Sequence, residues 1–263
     1  MNEQRQQSFS KIERALKVFG LESGSPIRTN IPKQKESIFI VLLITLIMLL
    51  VEYYGWQRPF LRLIAPKLNL NITTHTRLLF AQGYTTFSFW LLFIMIPSLF
   101  LMLYNPSKDK RELGLGLPKT SDLLPYFLIG VVMFISLLFV CAAPSFYLFY
   151  PLFRPHNINE WLSFELIYMA QFIAIEFFFR GPLLFRLNKL HGTVAIVFMT
   201  LPYALVHIHK PFPEALGSIV AGLALGHLSL KSKSIWPGVL LHMFIAFSAD
   251  SLGLFYGGDF TRW

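Results

Sequence analysis

Six side chains stand out in this 263-residue sequence: Glu176, Arg180, His207, Glu214, His242 and Asp250. All are ionisable, and all sit in or beside stretches that carry almost no other charge. An ionisable group in a long apolar segment is costly to keep there, so each is a candidate for function. Glu176 and Arg180 lie four residues apart in AIEFFFRGPLLF. On a helix they share a face and can pair, which suits a structural lock as well as it suits chemistry. His207 closes MTLPYALVH; His209, Lys210, Pro211 and Pro213 follow before Glu214 opens the next apolar run. Alone, such a histidine also fits a satisfied helix end. His242 lies inside WPGVLLHMFIAF, and Asp250 follows at i+8, on roughly the same helix face. A carboxylate and two imidazoles meeting inside a bundle can activate a water by general-base catalysis. They can also hold a divalent metal such as zinc, with Glu176, His207 and His242 as its ligands.

These residues need elements to position them. Hydrophobic residues make up 54% of the chain and charged residues only 14%. A soluble domain carries roughly 25% charged residues, so this chain has too little charge to cover a water-facing surface. The expected fold is all-α, a polytopic transmembrane helical bundle. Seven spans are placed near 37–56, 78–104, 123–147, 162–187, 192–208, 214–230 and 234–254, with an eighth if a short re-entrant piece is hidden. Each is long enough to be considered against the about 20 residues that a helix needs to cross a bilayer. Pro97, Pro125, Pro144 and Pro182 fall in or at the ends of these runs, where membrane helices tolerate kinks. If the fourth span ends near Leu187, Glu176 lies ~17 Å above that end, and His207 lies ~22 Å above a fifth-span start near Gly192. The two can therefore meet. Ser218, Gly222 and Gly226 form a small-residue stripe that lets a neighbouring helix approach closely; its expected role is to bring the His207 and His242 helices together. Glu165 and His227 are read as interfacial or packing residues near helix ends.

The charges report topology. The formal net charge is +9. Sixteen Lys and Arg residues fall on one set of alternate connections and seven on the other. That bias puts the N-terminus in the cytoplasm and, with seven spans, the C-terminus outside. Nothing in the distribution suggests a nucleic-acid groove, and the lipid bilayer is the expected contact. Residues 1–36 form a basic cytoplasmic tail without the pattern of a signal peptide. Within it Phe9, Ile12, Leu16 and Phe19 recur at helical spacing, which fits either a mobile tail or an amphipathic helix lying on the membrane. Residues 37–104 are two N-terminal spans, 105–255 the functional core and 256–263 a tail. Asn71-Ile72-Thr73 matches a glycosylation acceptor. Cys141 is the only cysteine, so no intrachain disulfide can form.

Together, EFFFRG, the histidine at 207 and the second histidine at 242 resemble the CAAX-protease and bacteriocin-processing (CPBP, or Abi) family of intramembrane proteases. LGLGLPK at 113–119 is similar to that family's lead-in to a span, and the resemblance covers roughly residues 105–255. The family pattern is Glu-Glu-x-x-x-Arg, Phe-x-x-x-His and His-x-x-x-Asn. Glu176 matches the second glutamate, Arg180 the arginine, His207 the first histidine with Tyr203 in place of phenylalanine, and His242 the second histidine. Ile175 stands at the first glutamate position and Ala246 at the asparagine position. A lone glutamate before FFFRG resembles the myxosortase-like members. The resemblance implies an intramembrane endopeptidase acting on a membrane-associated or lipidated peptide or protein, in the plasma (inner) membrane. Glu176, or Glu214, would be the general base and His207 would assist it or bind a metal. His242 and Asp250 would orient the water or stabilise the oxyanion, and Arg180 would hold Glu176. The Ile175 and Ala246 departures open the alternative of an inactive member serving as an immunity factor or scaffold. A proton-relay transporter fits less well, because no matching pair of interrupted helices suggests an inverted repeat.

Overall fold

A computed structural model describes residues 31–68, 74–104 and 109–257 of the chain. The Phe9–Phe19 periodicity, the Asn71 triplet and residues 258–263 lie outside them. Among the described residues helices dominate, with a single antiparallel bridge, Leu115 to Ser234, as the one extended pairing. The all-α bundle expected from composition is what the chain forms.

Six helices are long and apolar enough to cross a membrane: Lys33–Gly55, Thr76–Met102, Thr120–Val140, Ile158–His191, Phe212–Ser232 and Trp236–Gly257. The first is α1 (Ile31–Leu50), which widens into a π-helical stretch, Val51–Gly55. The second joins α2 (Thr74–Phe89) to α3 (Ile96–Tyr104) through another π-helical stretch, Trp90–Met95. Pro97 explains that widening. It lacks an N–H and its ring crowds the carbonyl four residues earlier, and a π turn is one way for a helix to absorb that. The third is α4 (Leu123–Val140), followed by a short turn of helix, Pro144–Tyr147. The expected span to residue 147 therefore stops at Val140, since the residue before a proline disfavours helical geometry.

The fourth span is two helices. α5 (Ile158–Arg180) begins at Asn157, whose side chain caps the backbone amides of Asn159 and Glu160. α6 (Pro182–His191) continues beyond a break at Gly181. A Cβ at Gly181 would lie 2.3 Å from the Phe177 carbonyl oxygen, so only glycine fits. The expected fifth span at 192–208 is the element that falls short. α7 (Val194–Val206) has 13 residues, about 20 Å of helix. α8 (Phe212–Ser232) and α9 (Trp236–Gly257) complete the chain.

Contacts between the connections define two ends. At one end Ile235 N–H donates to the Gly114 carbonyl at 2.8 Å, Lys189 pairs with Glu112 at 2.8 Å, Arg186 pairs with Glu36, and Ser37 meets His191 at 2.6 Å. At the other end His209 meets Glu52 at 3.0 Å, Gln57 donates to Gln82 at 2.6 Å, and Leu152 N–H donates to Asp250 at 3.0 Å. With α7 counted among them the spans run alternately up and down; of the six long ones, Ile158–His191 and Phe212–Ser232 run the same way, and α7 returns between them. α5 lies at the centre. Its second half, from Phe172 to Arg180, is buried at every position but Ile173. That burial accounts for a segment apolar on all sides. Phe93 stacks on Phe178 at 4.4 Å between ring centroids, and Phe179 packs edge-on against Tyr203.

Candidate functional site

Glu176 is fully buried on α5 and faces α9. One carboxylate oxygen, Oε1, accepts from Arg180 Nη1 at 2.6 Å and meets His242 Nδ1 at 2.9 Å. A carboxylate can only accept, so His242 donates from Nδ1, which leaves Nε2 as the nitrogen able to take a proton in the neutral ring. The expected helical pair of Glu176 and Arg180 is therefore present, and His242 joins it. The other oxygen, Oε2, has no protein partner. Gly238, one helical turn before His242, lets it fit: a Cβ there would lie 2.9 Å from Oε2.

Tyr203 organises the rest. Its ring lies under the Arg180 guanidinium at 3.8 Å, 4.7 Å from the His207 ring and 6.2 Å from the His242 ring. His207 caps the end of α7 and donates from Nδ1 to the Tyr203 carbonyl at 2.9 Å. In its neutral ring too, Nε2 is the nitrogen able to take a proton. Phe172 packs against the His242 ring at 4.3 Å. Tyr203 was visible in the sequence only as a departure from a motif; nothing marked it as the hub between two histidines and an arginine.

The small-residue stripe of α8 does its expected work, but on α7 alone. A Cβ at Gly222 would lie 2.7 Å from Thr200 Cγ2, and one at Gly226 would lie 2.9 Å from Ile196 Cγ2. α7 thus lies almost backbone-to-backbone on α8, which fixes Tyr203 and His207. α9 reaches the site by a different route, through α5.

Glu214 and Asp250 lie elsewhere, although the Glu214 carboxylate stays within electrostatic reach of His207 and Tyr203. They belong to a second polar cluster toward the other end of the bundle. The Tyr150 hydroxyl donates to both Glu214 oxygens, at 2.9 and 2.8 Å, and accepts from Lys210 Nζ at 2.6 Å. Burial and the Glu214 carboxylate push the Tyr150 phenol well above its ordinary range, so it stays a donor. Asp250 Oδ1 accepts from Leu152 N–H, and Asp250 sits within electrostatic reach of Glu165. Glu165, expected at an interface, is 3% exposed. α5 starts at Ile158, so Glu165 is two turns inside the helix rather than at its end. His227 is exposed, in keeping with an interfacial place. Tyr150, Lys210 and Glu165 had no motif to reveal them; only the packing of the 150–152 loop on α8 and α9 brings them together.

The residues at the two departures are apolar core. Ile175 is 5% exposed and Ala246 8%, both in the main hydrophobic cluster. Glu176, His207 and His242 are the residues the sequence offered to a divalent metal; among the described residues no three His, Cys, Asp or Glu groups lie close enough together to share one ion. What the site presents is one buried carboxylate, one arginine and two imidazoles whose Nδ1 atoms are already engaged.

Residues 157–248 match the family model described as type II CAAX prenyl endopeptidase, Rce1-like. No curated protein and no solved structure matches the chain. The matched stretch runs from the Asn157 cap of α5 through most of α9. It contains Glu176, Arg180, Tyr203, His207 and His242, and over it the chain is similar to a CAAX-protease family of the CPBP kind.

Proposed function

We propose that the chain is an intramembrane endopeptidase in which His242 Nε2 takes a proton from water as that water attacks a peptide carbonyl. The observation that carries this reading is the 2.9 Å contact between His242 Nδ1 and the fully buried Glu176. A carboxylate behind an imidazole fixes its tautomer and stabilises the imidazolium that forms, the logic of a carboxylate–histidine dyad. This moves the base from Glu176, the sequence expectation, to His242. Glu176 Oε1 is already committed to Arg180, and the carboxylate is closed off, whereas the His242 side chain keeps 14% of its surface accessible. Arg180 holds Glu176, and Tyr203 holds Arg180. His207 lies beside Tyr203 with its own Nε2 free to contact the substrate or a second water. The imidazolium of His242 then returns its proton to the leaving amine.

The substrate class we propose is a membrane-associated or lipidated peptide or protein, in a plasma (inner) membrane with the N-terminus of the enzyme in the cytoplasm. The lone Glu176 before FFFRG fits the myxosortase-like form of the family. One observation favours a second reading, an inactive member acting as an immunity factor or scaffold: Ile175 and Ala246 are well packed apolar residues rather than vacated polar ones.

Peptide termini in the membrane proteome distinguish the two. Strains carrying Glu176→Ala, His207→Ala or His242→Ala should all accumulate one and the same uncleaved precursor, absent from wild type. A scaffold gives no precursor common to the three.

A further inference from the structure

Hydrolysis consumes a water, and the site lies inside a helix bundle, so water needs a route to it. Toward the end bearing Leu152 and Asp250 the way is stacked with rings. Phe153, Phe164, Tyr168 and Phe172 follow one another at 4.9, 5.9 and 5.1 Å between centroids, and Phe172 abuts His242. Three of these recur every fourth residue on α5 and line that side of His242 with stacked rings.

The opposite end, rich in lysine, is different. A narrow crevice opens between the start of α4 and the end of α8. Ser121, Asp122 and Lys231 stand at its mouth, and Tyr126 and Ser232 lie deeper. Tyr126 and Ser232 are both buried and their hydroxyls are 3.3 Å apart. One turn further along the same face of α8, Ser229 donates to the backbone carbonyl of Arg180 at 2.8 Å. Tyr126 is within electrostatic reach of both Arg180 and Glu176. The hydroxyls of Tyr126, Ser232 and Ser229 thus lead from the mouth as far as the Arg180 backbone, and a polar lining is what lets water occupy a narrow space. Above Tyr126 the crevice is closed by its packing on Leu225 and Leu241.

Taking the hydrolytic reading as given, we infer that the crevice between α4 and α8 is the inlet by which water reaches the Glu176–His242 site from the lysine-rich end, with the Tyr126–Ser232 contact as its gate. The lining is amphoteric and narrow, so it admits water and small polar solutes rather than a peptide. Substrate would enter elsewhere.

The chain is suited to a direct test, because its single cysteine is silent. Cys141 is fully buried, and burial together with the Glu214 carboxylate pushes its thiol up to about 12. The full chain carrying His242→Cys is placed in sealed vesicles and exposed to a small, charged, membrane-impermeant thiosulfonate on each side in turn. Modification is expected from the side bearing Lys231. It should slow several-fold when Ser121→Trp plugs the mouth and quicken when Tyr126→Phe removes the gating hydroxyl. Modification from the opposite side, none from the Lys231 side, or a rate indifferent to Ser121→Trp overturns the inlet. Should His242→Cys not fold, as judged by gel filtration and melting, Ser232→Cys carries the same three comparisons. Labelling reads access without requiring cleavage. A wild-type chain that cleaves nothing would remove the protease reading while leaving the labelling pattern to stand or fall by itself.

Discussion

Glu176 is the residue on which most depends, and its neighbours predict how it responds to change. Removing Arg180 leaves a buried carboxylate with only a histidine beside it. Arg180→Ala should cost about 3–5 kcal/mol of stability, as expected for one partner of a buried ion pair, measured by denaturant unfolding in detergent. The double variant Arg180→Ala, Glu176→Gln should recover much of that. His242→Ala removes the proposed base and should lower turnover by about 10²–10⁴-fold, with melting temperature little changed because the side chain is only partly buried. Gly238→Ala is the more specific probe. Its methyl would press on Glu176 Oε2 at 2.9 Å; displacing the carboxylate by an ångström should cost about 10²-fold in turnover without unfolding the chain. At this scale the sequence was legible where a charge interrupts an apolar run, which is why Glu176, Arg180 and His242 could be picked out and do converge. It was illegible where function rests on residues ordinary in a membrane helix. Tyr203 is one more aromatic among 27 phenylalanines and ten tyrosines, and its place under Arg180 follows from helix crossing alone. Glu214 and Asp250 join another cluster, two turns of helix separating Asp250 from His242, while Glu214 stays within electrostatic reach of His207.

The helices that hold these residues are legible by a different signal. Long apolar runs located five of the spans to within a few residues and overshot the third beyond Val140, because hydrocarbon demands about 20 apolar residues of any crossing helix. What could not be read was where a run stops being one helix. Gly181 separates α5 from α6 for a steric reason local to Phe177, and no composition window contains that information. The α7–α8 crossing is the element contact most exposed to test. Gly222→Ala would bring a methyl to 2.7 Å from Thr200 Cγ2. Overpacking of this kind costs about 1–3 kcal/mol, and because α7 carries Tyr203 and His207, activity should fall with stability. Thr200→Ser removes the opposing methyl and should return part of both. Paired melting curves and cleavage rates for the four members of that cycle check the coupling.

For the whole molecule, the alternation of connections at the two ends carries a topology that charge counting had anticipated. Arg180 was counted among the basic residues of the cytoplasmic side but belongs to the buried site; the bias survives its removal. Reporter fusions at the two termini should lie on opposite sides of the membrane, with the N-terminal fusion cytoplasmic. Both fusions on one side would mean that α7 and α8 do not form a crossing pair.

The brevity of α7 has a consequence for the lipid around it. Its about 20 Å falls well short of the ~30 Å of hydrocarbon in an ordinary bilayer. A short span is met by thinning the adjacent leaflets, which at α7 would put the thinned patch beside His207, where the helix ends. A lipid-anchored tail arriving at that patch has less hydrocarbon to leave before it reaches polar groups. Vesicles made of short-chain lipids relieve the mismatch and those made of long-chain lipids aggravate it, so cleavage should be fastest in the thinner membrane and slow steadily as acyl length grows. The protein then senses the thickness of its solvent through the length of one helix.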